Sequence, residues 1–184
     1  MSECNINRDP GVQTVLTAEA IRTHVGQVAK YVERWAWEDF VLNRTAPTVV
    51  GVLSTGLFFH ADLMRATDAP VRAGCLLQPP PGADNALTVC IDHSLRGQCV
   101  VLVDVASGNS RALATARDLV TGLGARKVKT VTLVHQPTDR RAPEPDIFAV
   151  KLEPGLALCG YGLGNNGCVN APHITARTPH EAGA

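Results

Sequence analysis

Apolar residues recur along this chain in two rhythms: short continuous runs of β-branched residues and Leu, and longer stretches with apolar positions three or four apart. TVVGVL (48–53) and VVLV (100–103) are continuous runs, the pattern of strands buried on both faces of a parallel sheet. Ile21, Val25, Val28 and Val32 mark the apolar face of a first helix, which Trp35 and Trp37 extend or close. Ser54, Thr55 and Gly56 make a tight turn after the first run, and LFFHADLMRA (57–66) reads as a second helix. Residues 71–77 read as a strand, QPPPGADN (78–85) excludes regular structure, and 87–91 return as a strand, so this middle piece is hairpin-like. Asp104 ends the strand that begins at Val100. Leu113, Ala116, Val120 and Leu123 then repeat at helical spacing, and strands follow at 128–134, 147–152 and 156–159. Residues 1–15 lack periodicity and are expected to lie loose or pack late, 16–177 to form one domain, and 178–184 to be a frayed tail.

Strands alternating with amphipathic helices predict an α/β fold with a mainly parallel twisted sheet flanked by helices. Ligands of such sheets sit at the carboxyl ends of the strands. The turns expected there follow Leu53, Asp104 and Val134, and the Gly-rich segment 160–167 could close over them. The segment after Asp104 is the most informative. Ser107, Gly108, Asn109 and Ser110 supply flexible backbone, N–H groups and two hydroxyls at the start of a helix, and a helix start attracts phosphate through its unpaired N–H groups and dipole. The same segment also fits an ordinary strand-to-helix connection with a Ser cap.

Charge narrows the ligand further. The 184 residues carry 17 basic and 17 acidic side chains, so no long-range field draws nucleic acid or an anionic membrane, and any phosphate is held locally. With no apolar run of about 20 residues and no signal-like start, a cytoplasmic protein is expected. Six cysteines show no CxxC pair, and Cys75, Cys90 and Cys99 lie in or beside apolar strand-like runs, so they read as reduced core thiols. A metal site from Cys159, Cys168 and His173 is conceivable, but no compact ligand spacing supports it.

Three segments carry a more specific likeness. VVGVLSTGLFFHADLMRA (49–66), residues 95–137 around LVDVASGNSRAL, and CGYGLGNNG (159–167) occur in the order and at the separations of the type I phosphoribosyltransferases. Among these the chain most resembles the hypoxanthine-guanine phosphoribosyltransferases, with a degenerate active site. The resemblance implies their fold, with a small hood made by the chain ends, and assembly as a homodimer or homotetramer. It also implies a phosphorylated small-molecule ligand, Mg²⁺, Ser107 to Arg111 as the phosphate cradle, Ser54, Thr55 and Gly56 at the pyrophosphate-loop position, and Phe148 as the aromatic that stacks on the base.

The family's catalytic positions are mostly changed. An ungapped alignment puts Asp104 on the first of two adjacent ribose-holding acids and Val105 on the second. It also puts Gly108 on the usual proton-accepting acid and Asn109, Ser110, Arg111 and Ala112 on the cradle. A short deletion would instead set Ser107, Gly108, Asn109 and Ser110 there. Ser54 and Thr55 replace a Lys-Gly pair, Gln136 replaces the Lys that reads the base edge, and Gly164 replaces a metal-binding Asp. The Pro-rich 78–85 stands where a mobile catalytic loop is usual. Groups for pyrophosphate and metal are thus lost together, while those for a 5′-phosphate and a planar base are kept or conservatively replaced. No metal site is assigned, and no cofactor beyond Mg²⁺ is implied.

Two classes of function follow. In the first, an enzyme acts at the N-glycosidic bond of a nucleotide-like ligand: Asp104 and His135 are the catalytic candidates, Gln136 and Phe148 hold the base, and the reaction is transfer or hydrolysis. In the second, the same fold is a silent nucleotide- or partner-binding protein. Each residue has a plainer reading: Asp104 as an acid satisfied by backbone N–H groups, Arg111 as surface charge, His135 as a cap. Asp92 and His93 could be an acid or base or simply a turn, and His60 and Asp62 fit surface or helix-packing roles.

Overall fold

The computed structural model describes residues 11–53, 55–78, 87–108, 111–137, 143–164 and 169–177. Its centre is a six-stranded sheet of β2 (Thr48–Leu53), β3 (Arg72–Leu77), β4 (Thr88–Cys90), β5 (Cys99–Ser107), β6 (Lys127–His135) and β7 (Ile147–Lys151), in the order β4-β3-β2-β5-β6-β7. All neighbours run parallel except the edge pair β3 and β4, the hairpin expected from the middle of the sequence. The continuous apolar runs are the two central strands: every residue of β2 but Leu53 is buried, and so is every residue of β5 but Ala106. That pattern requires helices on both faces.

Helix α1 (Ala18–Asn43) and helix α2 (Leu57–Ala66) cover one face, packing Ile21, Val25, Val32, Phe59 and Leu63 against Val101, Val103 and Leu133. Helix α3 (Arg111–Gly122) covers the other with Leu113, Ala116 and Val120 against Val50, Val100 and Leu102. α1 starts where the Thr17 hydroxyl accepts the Ala20 N–H at 3.1 Å. It stops where Arg44 turns left-handed (φ 56°) and its N–H meets the Phe40 carbonyl.

Strands β1 (Val12–Leu16), β8 (Ala157–Cys159) and β9 (Ile174–Arg177) form a second, antiparallel sheet in the order β1-β9-β8. The two ends of the described chain thus make the hood together. This corrects one expectation: residues 12–15 are not loose, because Val12 to Thr14 pair with Thr175 to Arg177. The partner strand lies so far along the chain that no local periodicity announces the pairing.

A second correction concerns Asp104, which does not end its strand. β5 continues to Ser107 because Ala106 and Ser107 keep pairing with Val134 and His135 of β6, while the Asp104 carboxyl accepts the Val105 N–H (2.7 Å) and Val105 packs in the core.

Candidate active site at the carboxyl ends of the central strands

From β2 the chain crosses outward to β3, and from β5 it crosses to β6 on the other side. The gap between the carboxyl ends of β2 and β5 is therefore the point where strand order reverses, the usual ligand crevice of an open α/β sheet. Thr55 and Asp104 face each other there, the Thr55 hydroxyl donating to Asp104 Oδ1 at 2.8 Å. Gly56 lets the turn approach: a Cβ on it would lie 2.6 Å from the Val52 carbonyl and 3.1 Å from the Val103 carbonyl. Asp104 is only 4% exposed. Burial pushes its carboxyl up to about 7, against the opposing pull of the Thr55 hydroxyl and the Val105 and Ala106 N–H groups.

The described part of the Gly-rich segment, 160–164, closes on the turn after β2, and 165–167 lie outside the described residues. Gly160 and Leu163 bridge each other, and Gly162 (φ +97°) sits so near Thr55 that a Cβ there would be 2.2 Å from the Thr55 carbonyl. Tyr161, itself left-handed at φ 50°, is buried and donates its hydroxyl to Asp62 at 2.7 Å. Asp62 therefore anchors the closing segment, a role that only the fold reveals. His60 packs under β2: its Nε2 lies 3.2 Å from the Val49 carbonyl and its ring against Gly51. That is the helix-packing reading of His60, and burial holds its imidazole pKa down.

A second group extends from the end of β5. Ser107 pairs with His135 across β5 and β6, and Ser107 Oγ lies 2.8 Å from His135 Nδ1. On its other side, His135 Nε2 lies 3.5 Å from Glu144 Oε1, which in turn meets Lys151 Nζ at 3.6 Å. The Phe148 ring stands 4.9 Å from the His135 ring, tilted by 35°. Burial lowers the His135 pKa, with Glu144 opposing and Lys151 adding, so the ring is neutral at pH 7. Replacing Ser107 by Ala leaves a buried imidazole nitrogen unpaired and is expected to cost about 1–3 kcal/mol in chemical denaturation. The contribution of His135 to stability should be lost as pH drops below the ordinary His value of 6.5, since the unfolded chain then takes up a proton that buried His135 resists, a trend opposite in sign to that of the buried Asp104 carboxyl.

The other candidate residues divide. Gln136 follows β6, but its side-chain amide donates to the Glu153 carbonyl (3.0 Å) and the Leu156 carbonyl (2.9 Å), tying down the segment before β8. Gly108 lies between Ser107 and the start of α3 and has open space where a Cβ would stand. Ser54, Asn109 and Ser110 lie outside the described residues, and of Arg111 only its place at the head of α3 is described. Asp92 and His93 are bonded to each other at 2.7 Å, and His93 Nε2 lies 2.8 Å from Thr48 Oγ1. Thr48 opens β2, so this pair sits at the amino end of the sheet, away from Asp104. A cavity of about 190 Å³ beside α3, lined by Leu113, Arg117, Thr130 and Glu144, is too small for a nucleotide.

Mg²⁺ binding needs carboxylate oxygens turned toward a shared point. Here Oδ1 of Asp104 is held by Thr55 and Val105, the next position is a buried Val, and Gly164 brings no donor. Among the described residues no three His, Cys, Asp or Glu side chains converge. Among the described residues, then, none makes a set fitted to a resident Mg²⁺. Cys168, one member of the Cys159, Cys168 and His173 set, lies outside the described residues.

A mainly parallel sheet in this order, with helices on both faces and a hood of chain-end strands over the β2–β5 crevice, is the type I phosphoribosyltransferase fold. The chain is similar over nearly its whole length to solved hypoxanthine phosphoribosyltransferases. One from Trypanosoma cruzi, a point mutant complexed with the product IMP, superposes with a TM-score of 0.78 at 23% identity, over 92% of this chain and 93% of that one. A Staphylococcus aureus hypoxanthine phosphoribosyltransferase gives 0.74 at 17% identity, over 91% and 93%. A Bacillus anthracis hypoxanthine-guanine phosphoribosyltransferase gives 0.74 at 20% identity, over 90% and 97%. No protein-family model and no curated protein matches the sequence. No described helix is long and apolar enough to cross a membrane.

Proposed function

We propose that this protein binds a 5′-phosphorylated ribosyl or nucleotide ligand and acts at its N-glycosidic bond, diverging from ordinary purine salvage. The observation that carries the proposal is Asp104. A carboxyl buried at the strand-order reversal, poised near neutrality and a few residues before a Ser-Gly turn that opens a helix, can exchange a proton with a ligand at pH 7. In this reading the N–H groups and dipole at the start of α3 receive the phosphate, with Ser107, Gly108, Asn109, Ser110 and Arg111 around it. Asp104 then exchanges a proton with a ribose hydroxyl or with the base nitrogen whose bond to C1′ forms or breaks. Phe148 stacks on the base, and His135, held by Ser107, sets that ring's position.

The loss of a cation at Ser54 and Thr55, and the use of the Thr55 hydroxyl by Asp104, favour a monophosphate over a diphosphate. The IMP in the T. cruzi enzyme makes IMP the first ligand to try. A silent binder of the same fold is the second reading. It is favoured by the Gln136 amide, which the chain's own carbonyls already occupy instead of leaving it for a base edge.

Calorimetric titration with nucleoside monophosphates and with phosphoribosyl pyrophosphate, with and without Mg²⁺, followed by product analysis, separates the readings. Metal-independent monophosphate binding with release of base supports the enzyme, and binding without turnover supports the silent binder. Mg²⁺-dependent diphosphate binding with pyrophosphate release would overturn the divergence and identify ordinary transferase chemistry.

A further inference from the structure

The edge hairpin carries two cysteines that neither the fold's chemistry nor the candidate site uses. Cys75 of β3 and Cys90 of β4 are direct cross-strand partners, so their side chains stand on the same face. The Cys75 thiol already points at its neighbour, 3.8 Å from the Cys90 carbonyl oxygen. Cys90 is exposed and Cys75 half-buried, and both are free thiols.

The type of pairing follows from the opposite edge of β3. Arg72 donates its N–H to Pro47 and Gln78 donates to Leu53, so even-numbered residues of β3 bond toward β2 and odd-numbered ones toward β4. Cys75 and Cys90 are therefore a hydrogen-bonded pair, with Cα atoms about 5.5 Å apart. That separation lies inside the range of roughly 4.4–6.8 Å that a disulfide spans. Directly opposed Cβ atoms, at about 5 Å, are wider than the roughly 3.5–4.5 Å of a relaxed disulfide, and the flanking ladder bonds resist closing the gap. A bridge here forms under strain, and strained exposed disulfides are the readily reduced ones.

We propose that Cys75 and Cys90 form a reversible disulfide that clasps the edge hairpin, with a low-molecular-weight disulfide as oxidant. The Cys90 thiolate attacks one sulfur of the oxidant, forming a mixed disulfide and expelling one thiolate. The Cys75 thiol gives its proton to solvent, its sulfur attacks Cys90 Sγ, and the second thiolate leaves. Two protein thiols lose two electrons, and the oxidant is reduced to two thiols. The order follows from exposure: burial, with Cys90 beside it, holds the Cys75 thiol above its ordinary value, so Cys75 resolves rather than attacks.

Both cysteines fall in one tryptic peptide, 73–96, since no Lys or Arg lies between Arg72 and Arg96. The full-length protein is treated with glutathione disulfide, alkylated and digested without reductant. The expected product is that peptide lacking two hydrogens and carrying no alkyl group, returning to the doubly alkylated form after dithiothreitol. Cys75→Ser should trap glutathione on Cys90. Doubly alkylated peptide after oxidation, a stable glutathione adduct on the parent protein, or a bond joining two chains would each overturn the proposal.

Discussion

Asp104→Asn is expected to make the protein more stable and less active at once. Below the unfolded-state value of 3.8 the carboxyl is neutral in both states and costs nothing. As pH rises from 3.8 toward 7 the unfolded chain ionises first while the buried carboxyl stays protonated. The Asp104 contribution to folded stability then falls by about 1.4 kcal/mol per pH unit, to a total of about 4 kcal/mol, and levels off above 7. Asn removes that cost and keeps an oxygen for the Thr55 hydroxyl and the Val105 N–H. Denaturation midpoints of the two proteins should coincide near pH 4 and separate progressively to pH 8. If Asp104 exchanges a proton with the ligand, turnover in the variant drops by about 10²- to 10⁴-fold. Turnover unchanged in Asp104→Asn would remove Asp104 from the chemistry, and a stability difference between the two proteins that stays flat between pH 4 and 7 would mean the carboxyl is not held neutral, since the His135 contribution is common to both.

Gly162→Ala should strongly destabilise the closure of the Gly-rich segment on the β2 turn. Its φ of +97° disfavours any side chain, and the added Cβ would sit 2.2 Å from the Thr55 carbonyl, a backbone atom that cannot swing away. Left-handed strain of about 1–3 kcal/mol and overpacking of about 1–3 kcal/mol together predict a loss of roughly 2–6 kcal/mol in urea unfolding. Gly108→Ala is the control, because nothing lies within 4 Å of a Cβ there. If the two variants unfold alike, the Gly-rich segment does not press on Thr55 in solution. The same contact reaches Asp104, since Thr55 donates its hydroxyl to that carboxyl.

Periodicity and motif order made much of this molecule legible. The runs at 48–53 and 100–103 became the central strands because only doubly covered parallel strands tolerate uninterrupted β-branched residues. The spacing of Ile21, Val25, Val28 and Val32 marked the buried face of α1, and the Pro-rich stretch separated the strands of the edge hairpin. The turn residues and the acid beside them marked where a phosphate and a proton donor would lie. These features are local, encoded within a few residues of one another.

What remained hidden depends on groups distant in sequence. β1 is five residues of mixed polarity whose only reason to be a strand is β9, more than 150 residues away. Nothing near Gln136 announces that its amide meets the Glu153 and Leu156 carbonyls, nor anything near His135 that Ser107 and Phe148 enclose it. The near-neutral carboxyl of Asp104 arises from desolvation, which is a property of the surrounding packing. The sequence by itself determined the layered α/β architecture and pointed to the carboxyl ends of its central strands as the candidate crevice. The tertiary structure decided which side chains there are already hydrogen-bonded within the protein and which titrate abnormally, because burial and pairing are settled only when distant segments close on one another.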